Sequence, residues 1–158
     1  CHDDGIHVVS PGARQDFLEI YGTEDALEVA GLSFVAPLSA ADWQAARIGA
    51  GIVDIVPVTS GKYTPHMLNL DRLGAVNFDK GCYVGQEIVA RTQHLGSVKR
   101  RAAHFRAAAP VALGDGVLLD GTTVGEVVAA ANRDVLAVLP VALQQAELHA
   151  ANVALQPA

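Results

Sequence analysis

Cysteine is scarce in this chain. Cys1 and Cys82 are the only two among 158 residues, too few for a disulfide framework, so a reducing cytoplasm is the expected setting. No run approaches the roughly 18 uninterrupted apolar residues of a membrane span. Aromatic residues make up 5% of the chain, and the bases between Arg91 and Arg106 are interleaved only with Phe105, thin material for stacking nucleobases. Charged residues are also few, at 18% against 51% hydrophobic, a balance that argues against disorder. No phosphate-cradling glycine motif and no nucleophile elbow occurs. Cys1, His2 and His7 lack the short paired spacing of a zinc site, as do Cys82, His94 and His104, so no metal site is expected.

What is present is unevenly placed. The net charge is −6, yet Arg91, Lys99, Arg100, Arg101 and Arg106 follow one another with no acid between them. That asymmetry points to an anionic ligand, a polycarboxylate or phosphate, beside one patch rather than to general adhesion to nucleic acid. For Arg100 and Arg101 a solvated strand edge guarded by charge is the simpler reading. The length allows a proper core in one domain or two small ones. The chain opens at Cys1 without an initiator methionine and runs almost at once into IHVVS, as the interior of a longer protein would.

Ile6 to Ser10 and Asp16 to Tyr21 read as an antiparallel pair of strands around a turn at Pro11-Gly12. Thr23, followed by Glu24 and Asp25, has the pattern of a helix N-cap, and Gly31 supplies a stop. Leu32 to Val35 is too short to type. Ser39 with Asp42 resembles a capping box opening a helix through Trp43, Ala46 and Arg47 that ends near Gly49 and Gly51, with Trp43 and Ile48 toward a core. Arg47 in its last turn suits either an anion contact or the helix dipole. Val53 to Asp79, with Pro57, Gly61, Pro65 and Gly74, has no sustained period and reads as an ordered loop. Beyond Ser97 the runs Ala102 to Ala107, Val117 to Asp120, Thr123 to Ala131, Val135 to Leu139 and Glu147 to Leu155 are short and β-rich, as in a small antiparallel barrel or sandwich. Asp120-Gly121 is a hairpin signal. The expected division is therefore 1–97, an α+β region, and 98–158, the barrel.

Between these lies NFDKGCYVGQEIVARTQHLGSVKRR, Asn77 to Arg101. Gln86 to Leu95 has helical spacing, with Ile88, Val89 and Leu95 assigned to one face and Glu87, Arg91 and His94 to the other; Gly85 is the expected N-cap and Gly96 the stop. Cys82 would then sit just before a positive helix end, near the cation of Lys80, where a thiolate is favoured. A buried cysteine in a tight turn fits the same spacing.

The motif KGCYVGQEIVAR, with MLNLD upstream and GSVKRR downstream, resembles the YgfZ-type folate-binding proteins, which are related to the glycine-cleavage T protein, an aminomethyltransferase. PVALGDGVLLDG and VGEV resemble that family's C-terminal barrel. The resemblance implies a partial aminomethyltransferase-like α/β domain followed by a small antiparallel β-barrel, with a further N-terminal segment closing one wall of the folate cavity. It implies tetrahydrofolate, or a one-carbon derivative, as cofactor, and a role supporting iron–sulfur cluster assembly or repair, linked to tRNA modification. Partners would be iron–sulfur client or assembly proteins, with no membrane and no direct nucleic-acid contact. Cys82 takes the functional position, and Arg47, Lys80, Tyr83, Gln86, Glu87 and Arg91 are the candidate folate contacts. Two positions depart from the family pattern: Gly49 stands where an acid is common and His66 where glutamine is usual. The alternative is a folate-dependent one-carbon transferase, which needs a base near the reacting nitrogen; no carboxylate is visibly poised for it.

Overall fold

The computed structural model describes residues 6–9, 19–29 and 39–158, and the chain divides into two compact units, Cys1–Leu38 and Ser39–Ala158. In the first, β1 (Ile6–Val9) pairs antiparallel with β2 (Glu19–Gly22), Ile6 opposite Gly22 and Val9 opposite Glu19. The helix α1 (Glu24–Val29) follows, and the Thr23 hydroxyl accepts from the Ala26 N–H at 3.3 Å, as the capping pattern predicts. The turn at Pro11-Gly12, the stop at Gly31 and the run Leu32 to Val35 lie outside the described residues.

In the second unit α2 spans Ala40–Gly49. The N-cap half of its capping box forms, the Ser39 hydroxyl accepting from the Asp42 N–H at 3.1 Å, and the same hydroxyl donates to the Asp42 carboxylate at 2.6 Å. Ile48 is buried and Trp43 half-buried. From Ile52 to Gly85 the chain runs through turns with neither helix nor strand, in accord with its glycine and proline content. The helix α3 spans Gln86–Leu95, bounded by Gly85 and Gly96.

The remainder closes on itself. β3 (Arg100–Ala107), β4 (Gly116–Leu119), β5 (Thr122–Ala131), β6 (Asp134–Pro140), β7 (Leu148–Ala150) and β8 (Val153–Pro157) form a closed barrel in the order β3-β6-β5-β4-β7-β8. Closure removes the exposed edge that antiparallel sheets otherwise carry. Together with the helices this makes an α+β protein with a small barrel. Asp120 and Gly121 both have positive φ, 49° and 77°, giving the tight hairpin the Asp-Gly pair predicts. The run Glu147 to Leu155, read from sequence as one stretch, is two strands joined at Ala151 and Asn152, with φ 46° and 63°.

The strand β6 explains how the barrel supports what precedes it. Its DVLAVLP sequence is apolar without alternation because both faces are covered. Val135, Ala137 and Leu139 join Phe105, Val117 and Val127 in the barrel core. Leu136 and Val138 face a second core, with Ile48 of α2, Val53 and Leu68. Gly125 is required where β5 crosses β6, since a Cβ there would lie 2.7 Å from the Val138 carbonyl oxygen and 2.9 Å from the Leu139 Cβ.

Candidate functional site

The Asn77 side chain starts the motif loop by accepting from the Asp79 N–H at 2.8 Å, an Asx turn. Tyr83 and Gln86 then close on each other: the Gln86 N–H donates to the Tyr83 carbonyl at 3.3 Å, and the Gln86 side-chain oxygen accepts from the Tyr83 N–H, also at 3.3 Å. Between them Gly85 takes φ 86°, a left-handed conformation that suits glycine. The Lys80 ammonium stands 5.3 Å from the centre of the Tyr83 ring, a cation–π contact that also fixes the loop. Cys82 is a free, exposed thiol on this turn, so the buried-turn-cysteine reading is excluded. Lys80, Tyr83 and Gln86 also line a small pocket of about 60 Å³ with Phe78, Val89 and His94.

The faces of α3 differ from the expected ones. Val89 is its buried residue, at 8% exposure, while Ile88 is 65% and Leu95 86% exposed. Ile88 and Leu95 share one stripe, and Val89 lies about 100° round the helix from Ile88. The residues withdrawn from solvent are instead Val89, with Gln86, Ala90 and Thr92 half-buried, while Gln93 is exposed overall and reaches inward only through its side-chain oxygen. Gln93 is what makes that orientation favourable, because its side-chain oxygen meets His66 Nε2 at 3.2 Å. Phe78 sits against both His66, at 6.3 Å between ring centres, and His94, at 6.1 Å edge-on. Glu87 and Arg91 pair with each other at 3.3 Å on the exposed side, a contact worth a few tenths of a kcal/mol (~0.3–0.5).

Arg47 belongs to a different element. It bonds Asp54 at 2.6 Å and so clips the chain leaving α2 back onto the helix end. Beside that clip lies a groove of about 480 Å³, lined chiefly by apolar residues including Ile48, Ile52, Val56, Leu113 and Val128. Nothing local in the sequence marks this groove, since its walls come from three separate stretches. The structure therefore brings Lys80, Cys82, Tyr83, Gln86 and, on the outer face, Glu87 and Arg91 together on one loop and helix start, and places Arg47 on another element.

The solvated-edge reading of Arg100 and Arg101 does not hold. Arg101 is buried and grips Asp71 with both ends of its guanidinium, at 2.9 and 2.8 Å, while also donating to Asn69 and to the His66 carbonyl. Arg100 donates to the carbonyls of Val124 and Val138. A closed barrel has no edge to guard, and the arginines instead satisfy backbone and carboxylate groups at its margin. The hydrogen bonds from Arg101 hold the Asp71 carboxyl below its ordinary value against the opposing effect of burial. Arg106 pairs with Asp134, which His104 also contacts at 2.8 Å. Burial pushes the Asp134 carboxyl up, but these partners outweigh it and leave it lowered. Arg100 and Arg101 are thus engaged inside the fold, while Arg91, Lys99 and Arg106 are exposed.

His66 and Asp71 were not singled out by residue-level chemistry in the sequence. Their partners, Gln93 and Arg101, lie 27 and 30 residues away, and no local spacing announces such pairs. Among the described residues no group of three His, Cys, Asp or Glu side chains is placed to hold a metal ion, and no helix is long and apolar enough to cross a membrane.

No protein-family profile matches the chain. It is 48% identical over 58 residues to the tRNA-modifying protein YgfZ of Colwellia psychrerythraea, a match covering 37% of this chain and 18% of that protein. It is 42% identical over 65 residues to an uncharacterized protein of Haemophilus influenzae, covering 40% of this chain and 23% of that protein. The match thus spans less than a quarter of either relative's length. The likeness to the YgfZ protein is therefore confined to 58 residues of this chain.

Proposed function

We propose that the chain is part of a tetrahydrofolate-binding accessory protein of the YgfZ type, related to the aminomethyltransferases, which supports iron–sulfur cluster assembly or repair in the cytoplasm and through it tRNA modification. Cys82 is its working residue, offering its sulfur to a cluster iron or another metal on a client protein. The observation that carries this reading is the exposed free thiol of Cys82 on a turn pinned from both sides by Lys80–Tyr83 and Tyr83–Gln86. The 58-residue likeness to a tRNA-modifying protein adds to it.

In this reading Lys80, Tyr83, Gln86, Glu87 and Arg91 shape the folate side of the motif, and Arg47 acts on the preceding helix. Most of the affinity comes from the fit of the pterin and aminobenzoate rings, because exposed charge contacts to the glutamate tail contribute about 1 kcal/mol or less each.

The test separates ligand from thiol. Calorimetry with tetrahydrofolate, on this chain and on the full gene product, should give saturable binding that Cys82→Ser leaves intact. The same variant should lose the ability to restore an iron–sulfur enzyme in a reconstitution assay. Absence of folate binding in both forms would overturn the folate assignment, and undiminished reconstitution by Cys82→Ser would overturn the role of the thiol.

A further inference from the structure

The helix that follows Cys82 has little apolar burial to hold it. A ten-residue helix is marginal in isolation, and Val89 is the buried side chain of α3. What meets its inner stripe is a histidine. His66 is only 1% exposed, its Nε2 pairs with Gln93 on the last turns of the helix, and its Nδ1 is buried without a partner among the described residues. A buried polar ring with one nitrogen unpaired is costly, and the bond of its other nitrogen to Gln93 is the ring's one hydrogen bond among the described residues.

The turn carrying His66 is itself fixed to the barrel. The Ala102 N–H donates to the Met67 carbonyl at 2.7 Å, the Asn69 side chain donates to the Ala102 carbonyl at 2.8 Å, and Arg101 donates to the His66 carbonyl at 2.9 Å. Three bonds with two adjacent β3 residues thus hold the His66–Asn69 turn, one of them on the His66 carbonyl itself, and the His66 ring reaches from that turn to α3. Phe78, packed against His66 and His94, ties the start of the motif loop to the same point.

We propose that His66 is a positioning residue for the motif: through Gln93 it registers α3, and hence the Cys82 turn at the start of that helix, against the barrel. The interest in Cys82 rests on the function proposed above, but the registration of α3 does not depend on what the thiol does.

The experiment compares amide hydrogen exchange across Gln86–Leu95 with exchange in β6, alongside the rate of Cys82 alkylation by iodoacetamide. His66→Leu should speed exchange in α3 about fivefold to tenfold, the loss of one hydrogen bond, and change the alkylation rate while β6 stays protected. Gln93→Leu, on an exposed part of the helix, should reproduce the effect without threatening the core. The double variant should add nothing to either single one. His66→Gln, which keeps an N–H within reach of Gln93, should restore the slow exchange. Unchanged α3 exchange in both single variants, additive effects in the double, or failure of His66→Gln to restore protection would each overturn the proposal, whatever Cys82 is found to do.

Discussion

The barrel and the motif helix solve opposite problems with the same chain. In the barrel, Phe105, Val117, Val127, Ala137, Leu139 and Ala150 are completely shielded from solvent or nearly so, every strand has two neighbours, and a second core covers the outer side of β6. In α3 one residue is buried, two large aliphatic side chains face water, and the inner contact is a histidine–glutamine pair flanked by aromatic rings. Packed apolar layers resist local opening, whereas a helix held by a few directional contacts can move without unfolding its support. Packing is concentrated in the barrel, while the exposed Cys82 turn precedes a helix held by few contacts. That contrast can be broken by showing that damage to one travels to the other.

The largest effect belongs to the barrel centre. Phe105→Ala should cost about 3–5 kcal/mol, as a fully buried aromatic leaves a cavity that closed strands cannot collapse around. Urea unfolding followed by circular dichroism would measure it, and a loss below about 1 kcal/mol would contradict the packing described. Next comes Arg101, the link between the two regions. Its side chain and that of Asp71 are 10% and 12% exposed, so Arg101→Met strands a buried carboxylate and should cost on the order of 3 kcal/mol.

The same pair has an acid limb. Asp71 is lowered from 3.8 in the fold, chiefly by the Arg101 hydrogen bond. A depressed carboxylate contributes stability that is fully present above the unfolded value and is lost as pH falls through the folded one. The stability gap between the native chain and Asp71→Asn should therefore be constant near neutrality and shrink below about pH 4. A gap that stays constant down to pH 2 would show that the pair is not responsible.

Gly125→Ala ranks below these. The added methyl would meet the Val138 carbonyl oxygen at 2.7 Å, backbone that cannot rotate away, and overpacking of this kind costs roughly 1–3 kcal/mol. Thermal unfolding would register it as a lowered midpoint, with α3 exchange unaltered relative to the barrel.

Which features were legible follows from the range over which their signals act. The Ser39 hydroxyl accepts from the Asp42 N–H, Gly85 and Gly96 bound α3, and Asp120-Gly121 takes the positive φ of a tight hairpin, each a local signal that lies where local chemistry puts it. The hairpin at Ala151-Asn152 was not legible, because alanine in a left-handed conformation is imposed by strand pairing on either side rather than by its own preference. Arg101 reads locally as part of a basic run, and only the docking of the His66–Asn69 turn onto β3 brings Asp71 to it. The same holds for the helix faces. Three aliphatic residues in α3 suggest one apolar side, but the stripe that docks is chosen by His66, which lies 27 residues from Gln93.

That choice gives the smallest and most discriminating prediction. If Ile88 and Leu95 do face water, replacing them with serine removes little packing and should change stability by no more than about 0.5 kcal/mol, the usual range for surface substitutions. Val89→Ala, one position away, should cost about 1 kcal/mol or more through lost burial, expressed mainly as faster exchange in α3. A sequence reading that groups the three aliphatics predicts similar losses for all of them. Measuring the three variants side by side by urea unfolding and hydrogen exchange distinguishes the two faces. Equal losses would mean that α3 turns its aliphatic stripe inward, and the His66–Gln93 contact with it would have to be redrawn.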